Sequence, residues 1–156
     1  MIRELYMRRA IALSLEMMRS GKGGPFGAVI VQGDAVIAEG FNQVTSENDP
    51  TAHAEVVAIR RACRALRCFD LTGCEIYTSC EPCPMCLSAI YWARLDRIYY
   101  ANDRNDAAQI GFRDDFLYQE IPLPLEQRAI PTLRLLPEEG FAAFAEWQRK
   151  PDKVSY

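Results

Sequence analysis

The chain has 156 residues, 49% of them hydrophobic and 25% charged, enough for one domain with a proper core. A formal net charge of -3 and a pI near 5.3 argue against a protein that gains its affinity chiefly by neutralising nucleic-acid phosphates. There is no repeat, no low-complexity run and no apolar stretch long enough to span a bilayer or act as a secretory signal, so a cytoplasmic protein with reduced cysteines is expected.

In chain order, residues 3 to 19 read as an amphipathic helix. The glycine-rich "GKGGPFG" at 21 to 27 lacks the G-K-[ST] ending of a phosphate loop and leads into a strand, so it reads as a turn. Residues 27 to 32 and 35 to 40 form a strand pair turning at Gly33-Asp34. Residues 51 to 66 are predicted helical, with Asp49 as N-cap and Pro50 at the first helical position. Cys74 to Ser79 is a third strand, and a helix starts near Pro82 and runs through Trp92. "RIYYA" at 97 to 101 is a fourth strand, "TLRLL" at 132 to 136 a fifth, and 137 to 149 a last helix stopped by Pro151. Helices alternating with strands imply a sheet covered on both faces.

The chemistry concentrates in "SCEPCPMCLSAIYWA", residues 79 to 93, which holds three of the six cysteines. Cys83 and Cys86 have the C-x-x-C spacing that grips one tetrahedral ion or forms a redox disulfide, while Cys80 ends a strand. At the start of a helix, the dipole and unpaired N–H groups favour anionic thiolates. His53, the single histidine, falls with Glu55 at another predicted helix start. A lone histidine is ordinarily a satisfied core residue, and an early glutamate a dipole partner; with the thiolates they mean more. Two thiolates and one imidazole give zinc three protein ligands and leave one position for water, the layout of a catalytic site. Zinc lowers the pKa of such a water towards about 7, and a neighbouring carboxylate, here Glu55, can carry its proton. His53-Ala54-Glu55 and Pro82-Cys83-Pro84-Met85-Cys86 match the H-x-E and P-C-x-x-C signature of the zinc nucleobase deaminases, against a thioredoxin-like dithiol or a closed structural site. Cys63, Cys68, Cys74 and Cys80 read as packing residues or spare thiols.

On these motifs, with "GGPFGAVIV" at 23 to 31, "NDPTAHAEV" at 48 to 56, "AIYWAR" at 89 to 94 and "DAAQIGF" at 106 to 112, the chain resembles the cytidine deaminase superfamily, most closely the small bacterial guanine deaminases. The resemblance implies a three-layer α/β/α sandwich around a mixed sheet of about five strands, formed by one zinc-dependent domain over 1 to 156. It implies hydrolytic deamination of guanine to xanthine and ammonia with one zinc held by His53, Cys83 and Cys86, and Glu55 moving protons. A second carboxylate that assists the leaving amine falls on Asp114, with Asp115 as the neighbour that could take the role. Substrate contacts carried over are Asn42, whose amide can donate and accept, with Phe26 and Trp92 as apolar walls. Each has a plainer reading, as a loop residue bonding its own backbone or as core.

The expected partner is a free purine base, with neither membrane nor nucleic acid involved. Arg60, Arg61, Arg64 and Arg67 form a candidate basic stripe, but such spacing also describes a solvated helix face. Two rivals stand beside guanine: a tRNA adenosine deaminase, which shares signature and fold, and a binding module with a structural zinc. Cytosine and aminated triazines are further candidate substrates. The tail "KPDKVSY", 150 to 156, is too short and polar to build a core. By resemblance it crosses to a partner subunit in a domain-swapped homodimer and brings Tyr156 over the partner's site.

Overall fold

The strand Gly27–Gln32 (β1) reads G-A-V-I-V-Q and buries every residue but the last, which requires cover on both faces and neighbours on both edges. It has them. β2, Ala35–Phe41, pairs antiparallel on one side, and β3, Cys74–Cys80, antiparallel on the other. β4, Arg97–Asn102, then adds parallel to β3, giving a four-stranded mixed sheet in the order β2-β1-β3-β4. The structure is a computed structural model describing residues 1–156, in two units: Met1–Tyr118, which holds the sheet, and Gln119–Tyr156.

Strand alternation sorts the core into two layers. Val29 and Val31, with Tyr77 of β3, face Tyr6, Ala10 and Leu13 of α1, Ile2–Arg19. Ala28 and Ile30, with Ile76, face α3, Ala54–Leu66, and α4, Pro84–Trp92, through Ala54, Ala58, Ala62 and Ile90. α3 presents an alanine stripe and so lies unusually close to β2. A Cβ on Gly40 would stand 2.2 Å from the Ala54 carbonyl oxygen and 2.6 Å from the Ala58 nitrogen. Gly27 meets α1 in the same way, 2.3 Å from the Ala10 oxygen. A fork of hydrogen bonds from Arg9 Nε and Nη2 to the two Glu39 carboxylate oxygens, 2.7 Å each, ties α1 to β2 and holds Glu39 below the usual carboxylate range.

Three short helices complete the first unit: α2, Val44–Glu47; α5, Arg104–Gln109; and α6, Asp114–Glu120, which crosses the boundary between the units. α5 starts with a full capping box in which Asp103 accepts from the Asn105 and Asp106 N–H groups and Asp106 accepts from the Asp103 N–H. In the second unit a 3₁₀ turn, Leu125–Gln127, precedes α7, Pro137–Arg149, and neither buries a residue. No helix is long and apolar enough to cross a membrane.

Four expectations change. The sheet has four strands rather than five, because "TLRLL" finds no ladder partner and both leucines of its alternation, Leu133 and Leu135, are exposed. The helix expected from 51 begins at Ala54. Asp49 does bond locally, but its Oδ1 takes the Thr51 N–H and hydroxyl and makes a turn rather than a helix cap. The helix expected near Pro82 begins at Pro84, which keeps Cys83 extended, as a residue before proline prefers. α2, α5 and α6 are too short to show an apolar period and are additions to the sequence reading.

Gly40→Ala should lower unfolding stability by about 1–3 kcal/mol through overpacking against Ala54 and Ala58, read as a reduced midpoint in urea. An unchanged midpoint would mean that α3 can withdraw from β2 at no cost.

Candidate active site

Two helix starts meet at the end of the sheet. His53 is the N-cap of α3 and Cys83 the N-cap of α4; both are extended, with ψ of 154° and 167°, and neither gives a side-chain cap hydrogen bond. Their side chains are turned instead towards Cys86, in the first turn of α4. His53 Nδ1 lies 3.6 Å from Cys83 Sγ and 3.5 Å from Cys86 Sγ. All three donor atoms fall within 4.8 Å of one another. A tetrahedral zinc with bonds of about 2.0–2.3 Å requires nitrogen and sulfur ligands roughly 3.5 Å apart, so the donors already stand at the edges of such a tetrahedron. His53, Cys83 and Cys86 are able to hold the ion, and two soft thiolates with one imidazole are the chemistry it selects.

The three donors share protons among themselves, and a metal ion would displace those protons on binding. The Cys86 thiol donating to Cys83, with the His53 ring beside it, pulls Cys83 down to about 4, and the same bond pushes Cys86 up. The hydrogen bond with Cys83 raises His53. Glu55, in the first turn of α3, is 8% exposed and accepts from Cys86 Sγ at 3.4 Å. Burial pushes its carboxyl up to about 7.

His53, Glu55 and Cys83 form one wall of a cavity of about 250 Å³, small beside typical ligand pockets of about 300–1,000 Å³. Phe26 and Asn42 line it, as expected from the sequence. The Asn42 carbonyl oxygen accepts from the Gly24 and Val44 N–H groups, 3.2 Å each, so its amide NH₂ is the group left to serve a ligand. Asp114 also lines the cavity, and burial raises its carboxyl. Asp115 does not line it; it pairs through two oxygens with Arg113, at 2.9 and 3.0 Å, and is held below the usual range. Trp92, 67% exposed at the end of α4, is outside the lining, and Tyr156 is an exposed residue of the second unit.

Sequence reasoning missed Phe112, Glu81 and the place of Cys80, all in the lining. Phe112 stands edge-on to Phe26, ring centroids 4.8 Å apart, and closes the apolar side. Its only signal was its position two residues before Asp114. Cys80 is no part of the donor cluster; its thiol reaches the Asp103 carbonyl at 3.8 Å, and burial pushes it up to about 12, so it is neutral. The arginine stripe is partly engaged: Arg61 donates to the Glu39 carbonyl and Gln43, and Arg60 pairs with Asp49.

The fold and the His-Cys-Cys cluster define a zinc-dependent deaminase, and residues 1–102 match the family described as the cytidine and deoxycytidylate deaminase zinc-binding region. The chain belongs to that family. Within it, similarity is high to the guanine deaminase of Bacillus subtilis, 52% identical over 98% of both chains. An X-ray structure of guanine deaminase from that organism superposes with a TM-score of 0.95 over 98% of each chain. A guanine deaminase structure from Nitrosomonas europaea gives 0.67 at 31% identity, over 70% of this chain and 63% of that one. Another solved structure, 33% identical and also at 0.67 over 70% of this chain and 61% of its own, holds 2,6-diaminopurine. The tRNA-specific adenosine deaminase of Agrobacterium fabrum is 44% identical, but over 57% of this chain and 60% of its own.

Purified protein should contain about one zinc per chain, and His53→Ala, Cys83→Ala or Cys86→Ala should each lose it while Cys80→Ala keeps it. Metal analysis by mass spectrometry decides this. Retention in all three ligand variants, or loss in Cys80→Ala, would break the donor assignment.

Proposed function

We propose that the protein hydrolyses guanine to xanthine and ammonia. The observation that carries this is the 52% identity to a guanine deaminase along 98% of both chains, including the segments beyond the zinc-binding region. A cavity of about 250 Å³ is of a size to take a single base. Purine binding is further supported by the relative solved with 2,6-diaminopurine.

When bound by His53, Cys83 and Cys86, zinc supplies a Lewis acid that lowers the pKa of water to about 7. Glu55 takes a proton from the attacking water and delivers it to a ring nitrogen of the base. With its carboxyl near 7, it serves as base and acid at neutral pH. Asp114, raised by burial, assists proton delivery to the departing C2 amine. The Asn42 amide donates to a purine acceptor, and the Phe26–Phe112 pair packs on the ring and excludes water.

The dimer belongs to the same proposal. Residues 119 to 156 expose Ile130, Leu133, Leu135, Phe141 and Phe144, and α7 buries nothing. A segment of this size cannot bury enough of its own apolar surface to be stable alone. A second copy of the chain covers it, and the tail with Tyr156 closes the partner's cavity. Six free cysteines agree with a reducing, cytoplasmic compartment.

Ammonia release from guanine, cytosine, aminated triazines, nucleosides and tRNA tests the substrate. Guanine should turn over, and Glu55→Ala should keep zinc while losing at least about a hundredfold in rate. Inert guanine beside an active tRNA, forming inosine, would transfer the assignment to the adenosine reaction.

Removing residues 151 to 156 should leave zinc content and folding intact but abolish most activity on guanine. Mixing that chain with Glu55→Ala should restore part of it, because one intact tail then meets one intact site. Full activity of the truncated chain, or no rescue in verified mixed dimers, would refute the exchange.

A further inference from the structure

Asp114 sits in the first turn of α6, yet α6 buries no residue. No hydrophobic core sets the direction of that helix. What holds it is a chain of polar contacts converging on the segment that leads into Cys83. Glu81 is tied to β4 through its N–H, which donates to the Asn102 carbonyl at 2.8 Å. Its carboxylate accepts from the Arg104 backbone N–H at 2.9 Å and from Arg104 Nε and Nη2 at 3.2 and 2.7 Å. The Arg104 guanidinium, so fixed, lies over the Tyr118 ring, 3.5 Å from its centroid. Tyr118 in turn donates its hydroxyl to the Pro82 carbonyl at 2.8 Å, next to the Cys83 ligand. Asp114 and Tyr118 are four residues apart, so they share a face of α6.

We propose that Tyr118 is a positioning residue for Asp114: its hydroxyl, pinned on Pro82, and its ring, held by Arg104, fix the helical turn that aims the Asp114 carboxylate into the cavity beside Cys83. The assignment rests on the proton role proposed for Asp114 and adds the device that makes that role possible. Tyr118 is neither one of the metal-donor residues nor one of the residues that line the cavity. Its effect therefore passes through the geometry of α6, where displacement by about 1 Å can lower a rate up to about a hundredfold.

Tyr118→Phe tests this, because it removes the bond to Pro82 and leaves the ring beneath Arg104. Zinc-loaded protein should keep its metal content and thermal midpoint, and kcat on guanine should fall roughly tenfold or more with KM little changed. Arg104→Met, which frees the ring, should show a fall in the same direction. A double-mutant cycle gives the decisive reading: in the Asp114→Asn background, Tyr118→Phe should cost nothing further. Arg113→Ala, which releases Asp115 on the same helix, should leave kcat as it is.

Independent, multiplying losses for Tyr118→Phe and Asp114→Asn would overturn the positioning role. So would a silent Tyr118→Phe beside an impaired Asp114→Asn, or an equal loss in Arg113→Ala; in these cases the role of Asp114 stands. A silent Asp114→Asn would instead remove both.

Discussion

The architecture depends on one convergence: the N-termini of α3 and α4 are brought together until an imidazole nitrogen lies 3.5–3.6 Å from each of two sulfurs. Helix starts are where unpaired N–H groups and the dipole favour a thiolate, and Cys83 is the acidic thiol of the set. The position has a cost. A conventional N-cap side chain contributes about 1 kcal/mol, and both helices give it up because His53 and Cys83 are turned to the cluster. That approach is possible because Gly40 and the alanine stripe of α3 let a helix lie against β2 closer than any larger residue would permit.

Around the cluster, charge is biased to one sign. Glu55, Glu81, Asp114 and the Cys83 thiolate all face or flank one small cavity. Beside that wall, the Arg104 guanidinium pairs with Glu81. Burial first, and then the Cys83 thiolate, raise the carboxyls of Glu55 and Asp114, and a site so biased suits a divalent cation.

How much of this was legible in the sequence follows from the range of each signal. The donor set and Glu55 were legible because residue type and spacing in two short segments fix the chemistry. Strands β1 to β4 were legible through their apolar runs and the Gly33-Asp34 turn. Helix starts were misread by two or three residues, since Asp49 carries a cap signal that the chain spends on a turn and Pro82 lies in the connection before α4, which starts at Pro84. "TLRLL" has strand composition, but a strand exists only with a ladder partner, which lies outside any local window. Phe112, Glu81 and the Arg104–Tyr118 stack depend on contacts across 14 to 86 residues of chain, and no period or spacing announces them.

The distribution of the cavity lining has a consequence for how this scaffold can diversify. The ligands and Glu55 belong to the starts of α3 and α4, whereas Gly24, Phe26, Asn42, Val44, Thr45, Pro50, Glu81, Phe112 and Asp114 lie on connections and short helices elsewhere in the chain. Connections accept insertion and replacement far more readily than packed helices do. The metal cluster and the rest of the lining thus sit on parts of the chain that can change independently, so exchange of a few loops can reshape the cavity around one unaltered donor set.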